Sequence, residues 1–192
     1  MNNETKYILL NVTRDLIDNK GIESISMREV GRLAGLSRSA LYRHFDNKES
    51  LLAAIVVENF SMLGEMINEL EGTVNNSKQL LFQVFVTYYD FAIGNSGHYK
   101  LMFSTQWDET KYPEIQQAAL YVFQKASYFV SEALPGTSKK SNSKISIEKT
   151  AILYAFIHGL VELHLNGHTE MSKGLDDAKV LINHMVDAIL EF

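Results

Sequence analysis

The chain has 192 residues, 46% of them hydrophobic and 21% charged, which is ample material for a buried core in one large domain or in a small module fused to a larger body. It contains no cysteine, which excludes disulfides and thiolate chemistry and fits a reducing compartment. The net charge of −5 is uneven: residues 1–52 hold eight basic and seven acidic side chains, and the remainder holds ten and sixteen. A near-neutral head on an acidic body suits a protein that offers only one end to a polyanion.

In chain order, residues 4–20 carry Ile8, Leu9, Val12, Leu16 and Ile17 at helical spacing, and Gly21 follows at the expected C-terminal cap. Ser26-Met27-Arg28-Glu29 reads as a capping box, in which Ser26 accepts from the third amide and Glu29 reaches back. The short helix it opens stops at Gly35. Ser37 caps a second short helix with Leu41 and Phe45 on its inner face. Asp46 and Asn47 open a long helix to about Leu70.

Helices are predicted further on over 77–94, 97–105, 112–134, 145–167 and 174–191, with a Gly/Ser/Lys-rich loop at 135–143. Sustained strand alternation is absent, so the predicted fold is all-α. The most apolar stretch, 145–165, is broken by Glu148, Lys149, His158, Glu162 and His164, and residues 1–6 lack a leader pattern. No membrane span is expected, and the expected location is the cytoplasm.

The most specific feature is the pair of short helices joined by Ala34-Gly35-Leu36-Ser37. Gly35 supplies the positive φ that a tight turn needs, and Leu36 plugs the angle above Val30 and Leu41. The second helix begins with Arg38 and Ser39, where a recognition helix presents side chains to base edges, and arginine there suits guanine O6 and N7. Tyr42, His44 and Lys48 leave this unit close together and suit phosphate contacts, which set register without reading sequence. Ser26 and Arg28 at the start of the first short helix suit another phosphate.

The stretch Ser26–Leu52, SMREVGRLAGLSRSALYRHFDNKESLL, resembles the DNA-binding signature of the TetR family of repressors. Ser26, Val30, Ala34, Gly35, Leu36, Ser37, Leu41, Tyr42, His44, Phe45, Lys48, Glu49, Leu51 and Leu52 match the pattern, and Gly31 stands where alanine is usual. The resemblance implies a helix-turn-helix DNA-binding domain at 1–48 and a helical ligand-binding and dimerisation domain at 49–192. It implies Ser26, Arg28, Ser37, Arg38, Ser39, Tyr42, His44 and Lys48 as the DNA-contact set. It further implies a homodimer on a pseudo-palindromic operator, released by a small-molecule effector.

Two body segments resemble a subset of these regulators: His98-Tyr99-Lys100-Leu101-Met102-Phe103 is similar to a Tyr-x-Leu-Met-Phe segment. Tyr154 to Leu160 is similar to a Trp-x-x-x-His-Gly-Leu motif with tyrosine in place of tryptophan.

Elsewhere the body is rich in aromatic and thioether side chains. Core packing accounts for most of them; the candidates for lining a largely hydrophobic ligand pocket are Met62, Met66, Phe85, Tyr89, Phe103, Trp107, Tyr121, Phe129 and His158. Gly159 in an apolar helix implies close approach of a helix or ligand. The candidate dimer face is Ile152, Ala155, Phe156 and Gly159 on one late helix with Ile182, Met185 and Ile189 on the last.

His158, Glu162, His164 and His168 form i, i+4 pairs without a third ligand at a known spacing, so neither a metal nor a cofactor is assigned. No nucleophile–base pair or glycine-rich phosphate loop is present, so no enzymatic activity is expected. The competing reading is a helical protein-binding or architectural DNA-binding module without a ligand switch.

Overall fold

The computed structural model describes residues 2–103, 105–134 and 144–191. Among them all regular structure is helical: α1 (Asn2–Lys20), α2 (Met27–Leu33), α3 (Arg38–Tyr42), α4 (Lys48–Asn68), α5 (Ser77–Gly94), α6 (Ser96–Phe103), α7 (Pro113–Ala133), α8 (Lys144–Leu165) and α9 (Ala178–Glu191). Short 3-10 turns lie at Ile22–Ser24 and Met171–Lys173. The all-α expectation holds. The loop expected at 135–143 lies outside the described residues.

Local chemistry sets most helix ends. Gly21 takes φ 79° after α1. Asn47 Oδ1 accepts from Ser50 N at 2.9 Å and opens α4, and Asn76 Oδ1 does the same for Gln79 N ahead of α5. The last helix starts four residues later than expected, at Ala178. Gly174, left-handed at φ 67°, closes the preceding 3-10 turn, and Asp177 Oδ1 then accepts from Lys179 N and Val180 N at 3.0 Å. By length and composition α4 is apolar enough to cross a membrane, but more than half of it is buried in the protein itself.

The chain divides into two compact units, residues 1–60 with 95–118, and 61–94 with 119–192. This differs from the expected division at 48/49, because the start of α4 and all of α6 share the core of the N-terminal helices. In the first unit Leu9, Leu16, Ile17, Val30, Leu41, Phe45, Leu51, Ile55, Tyr99 and Leu101 are buried. Complete burial of one such side chain stabilises by about 1.5–3 kcal/mol before entropy is counted. The backbone of α6 passes close to α1 at Gly97, where a Cβ would lie 3.1 Å from Ile17 Cγ2.

Beside that crossing the buried His98 ring bridges three helices: Asn59 lies 3.1 Å from Nδ1 and Asp18 Oδ1 lies 3.2 Å from Nε2. The amide of Asn59 donates to Nδ1, so the proton sits on Nε2 and points at the carboxylate. Burial lowers the His98 pKa, against the pull of Asp18.

In the second unit α5 packs against both α8 and α9, and α8 packs on α9. The core there includes Leu81, Val84, Phe85, Phe129, Val130, Leu153, Ile157, Val161, Ile182 and Val186. Surface ion pairs join α5 to α9: Lys78 to Asp187 at 2.7 Å and Lys179 to Asp90 at 2.8 Å.

Candidate functional site

Helix α2 opens on Ser26, whose Oγ accepts from Glu29 N at 3.2 Å. The reciprocal half of the capping box is not made. Glu29 instead takes a bidentate pair from Arg32, with Nε at 2.9 Å and Nη2 at 2.8 Å, because an exposed guanidinium one turn on offers two charged donors. That pair holds the Glu29 carboxyl below its usual range.

The helix ends in a Schellman turn. Gly35 has φ 66°, its N–H donates to Arg32 O at 3.3 Å, and Leu36 N donates to Gly31 O at 3.0 Å. Ser37 then caps α3, its Oγ accepting from Ala40 N at 3.2 Å and lying 3.1 Å from Ser39 Oγ. Val30, Leu41 and Phe45 are buried beneath the half-buried Leu36, so the two helices are locked by their own inner faces.

This packing leaves one face open. Arg28, Arg38, Ser39 and Tyr42 are exposed, and His44 is half-buried. A groove of about 640 Å³ runs between α2 and α3, lined by Arg28, Gly31, Arg32, Leu36, Arg38 and Tyr42 among others. Among the described residues neither Arg28 nor Arg38 forms an ion pair, unlike Arg32, although the Arg28 charge also helps to lower the Glu29 carboxyl. The Arg38 guanidinium carbon lies 5.4 Å from the Tyr42 ring centroid. Ser26 and Ser37 are caps through their oxygens, and Ser37 and Ser39 share a hydrogen bond in which either hydroxyl can donate. Lys48 is half-buried and its Nζ donates to Ile22 O at 3.3 Å, which leaves two of its three donors. The sequence reading missed this internal bond, since the two residues are 26 positions apart.

The nine residues expected around a ligand divide between the two units. Phe103 and Trp107 belong to the first unit: Phe103 meets Phe60 edge-on at 5.6 Å, and Trp107 Nε1 donates to Leu101 O at 3.2 Å, satisfying a carbonyl in the last turn of α6. In the second unit Phe85, Tyr89 and Phe129 are buried, while Met62, Met66 and Tyr121 are exposed. Tyr121 lies against Gly64 and its hydroxyl accepts from Asn68 Nδ2 at 2.7 Å. His158 is half-buried, 2.9 Å from the Tyr88 hydroxyl through Nε2, with Tyr154 against its ring at 4.2 Å. Burial lowers its pKa from 6.5 to about 4, so it is neutral at physiological pH. His164 meets the Tyr89 hydroxyl.

On the candidate dimer face Ile152, Ala155 and Gly159 of α8 are exposed, and Phe156 and Met185 are half-buried. Among the described residues nothing lies within 4 Å of a Cβ built on Gly159, so none of them supplies the expected close neighbour. Ile182 and Ile189 are corrections: with Val186 they form the inward stripe of α9 and are buried in their own unit. The outward side of α9 carries Val180 and His184 instead.

Comparisons with known proteins agree with this architecture. Residues 9–55 match the family described as bacterial regulatory proteins, tetR family, and residues 81–189 match the tetracyclin repressor-like C-terminal domain. The transposon Tn10 TetC protein of Escherichia coli is 24% identical over 179 residues, covering 91% of this chain and 85% of that protein. The transcriptional regulator AcrR of Shigella flexneri is 37% identical over 68 residues, 35% of this chain and 31% of that protein.

Among solved structures, a protein with unknown function from Rhodococcus sp. RHA1 has a TM-score of 0.80 at 18% identity, over 97% of this chain and 94% of that one. The regulator FadR from Bacillus subtilis, solved with stearoyl-CoA, has a TM-score of 0.72 at 14% identity, over 96% of this chain and 97% of its own. With both halves matched and a helix-turn-helix exposing unpaired arginines, the chain belongs to the TetR family and is a DNA-binding transcriptional regulator, not an enzyme.

Proposed function

We propose that this regulator is a cytoplasmic, homodimeric repressor that binds a pseudo-palindromic operator through residues 1–48 and is released by a small, largely hydrophobic effector bound within residues 49–192. The observation that carries the DNA half of this reading is the open face of α2 and α3. There, among the described residues, Arg28 and Arg38 form no ion pair, while Arg32, on the same groove, is neutralised by Glu29.

In this reading Arg38 reads a guanine edge from the first turn of α3. Arg28, Tyr42, His44, Lys48 and the hydroxyls of Ser26, Ser37 and Ser39 hold phosphates and set the register. Two copies present their α3 helices to successive major grooves, roughly 34–36 Å apart. The exposed Ile152, Ala155 and Gly159 of α8, with no neighbour among the described residues at the Gly159 Cβ position, support pairing through α8 and α9.

An effector lowers operator affinity only by as much as it binds the released state more tightly. The interior of the second unit, with Phe85, Phe129 and a neutral His158, favours an apolar ligand. FadR, which shares the fold, was solved with an acyl-CoA.

The test is fluorescence anisotropy with DNA from upstream of the protein's own coding sequence and with a scrambled control, across a salt series. Sequence-selective binding is expected, with Arg38→Ala relaxing base preference and Lys48→Ala weakening all sequences alike and reducing the salt slope by about 1. Equal affinity for every DNA, or none, would replace this reading with the architectural or protein-binding one.

A further inference from the structure

We infer that Tyr42 is a positioning residue for base selectivity: its ring is the platform that holds the Arg38 guanidinium flat, with the hydrogen-bonding edge free for guanine. The inference rests on Arg38 reading a base, as proposed above. The two residues are four apart on α3, so Tyr42 sits one turn on from Arg38 on the same face, and a helical side chain leans back over the turn before it. The observed separation of 5.4 Å from guanidinium carbon to ring centroid is within the range of a cation–π contact.

The chemistry of the contact matters more than its strength. A carboxylate one turn away consumes the donors of the arginine it holds, and α2 shows this directly: Glu29 occupies Nε and Nη2 of Arg32. A ring holds a guanidinium by its face and leaves the in-plane N–H fork unspent. Guanine O6 and N7 need that fork, two donors side by side in one plane.

Both side chains are exposed, and among the described residues Arg38 has no ion pair and the Tyr42 hydroxyl has no hydrogen bond. The platform therefore constrains a long, rotamer-rich side chain before DNA arrives, without neutralising it. Tyr42 serves twice in this arrangement, the hydroxyl toward a phosphate and the ring toward Arg38.

Selection of binding sites from a randomised duplex library with the full-length protein tests this, repeated for Arg38→Ala, Tyr42→Phe and Tyr42→Leu. Unfolding midpoints serve as the folding control. Arg38→Ala identifies the position whose guanine preference depends on Arg38. Tyr42→Leu is expected to lower the preference at that same position by about fivefold or more, the low end of what a bidentate pair discriminates, with preferences elsewhere intact.

Tyr42→Phe keeps the ring and is expected to retain the preference, while binding all sequences more weakly through the lost hydroxyl. The platform role is overturned if Tyr42→Leu weakens every sequence equally and keeps the guanine preference, or if Tyr42→Phe loses that preference as fully as Tyr42→Leu. If Arg38→Ala leaves all preferences unchanged, the base-reading role of Arg38 fails, and the platform role fails with it.

Discussion

Two glycines four residues apart, Gly31 and Gly35, respond to alanine with opposite signs. Gly31 lies inside α2 with right-handed backbone, and a Cβ there would meet Leu41 Cδ1 at 3.4 Å and Leu36 O at 3.7 Å, ordinary contact distances. Alanine restores helix propensity worth about 0.8–1 kcal/mol, so Gly31→Ala is expected to stabilise by roughly 0.5–1 kcal/mol.

Gly35 has φ 66°, and nothing among the described residues lies within 4 Å of its Cβ position. The penalty there is conformational alone, about 1–2 kcal/mol for an L-residue in the left-handed region, offset by about 0.4–1 kcal/mol of reduced unfolded-state entropy. Gly35→Ala is therefore expected to destabilise by about 1 kcal/mol, and Gly35→Asn by less. Urea titrations of the three variants with the wild type give the ordering. Midpoint shifts of the same sign for Gly31→Ala and Gly35→Ala would refute the reasoning.

Gly64→Ala places a methyl 2.9 Å from Tyr121 Cε1, so the ring must move; a loss of about 1–3 kcal/mol is expected by thermal denaturation, relieved in the Tyr121→Ala background. Burial holds His158 at about 4 and also pushes His98 down, so the unfolded chain takes up protons that the folded chain refuses. Stability is then full above pH 6.5 and falls as pH drops toward 4, and His158→Gln should remove part of that dependence in unfolding midpoints measured across the window. Ile152→Glu, at a site 48% exposed, should leave helix content intact and shift the protein to monomer in sedimentation or light scattering; an unchanged dimer would argue against α8 as the interface.

Much of the candidate DNA site was legible in the sequence because its determinants act over a few residues. Ser26, Ser37 and Asn47 cap helices through amides three positions on, and Gly35 bends the chain through its own φ. The body was legible only as class. Aromatic content announced a helical core, but Trp107 turned out to satisfy an α6 carbonyl, and Phe103 to pack on Phe60 within the first unit. The spacing of Arg38 and Tyr42 is itself a sequence signal for a contact on one helical face, and only its meaning waited for coordinates.

The sequence by itself determined the all-α class, the helix-turn-helix and its capped ends, since periodicity, caps and turn glycines are local. Tertiary structure alone decided the rest. It turned Ile182 and Ile189 inward and left Ile152 and Val180 outward, because two apolar stripes on a helix compete and neighbours choose between them. It gave Glu29 to Arg32, where capping-box spacing pointed back to Ser26. And it joined α6 to the N-terminal helices through Gly97, His98, Asp18 and Asn59, a contact between positions as much as 80 apart that only packing creates.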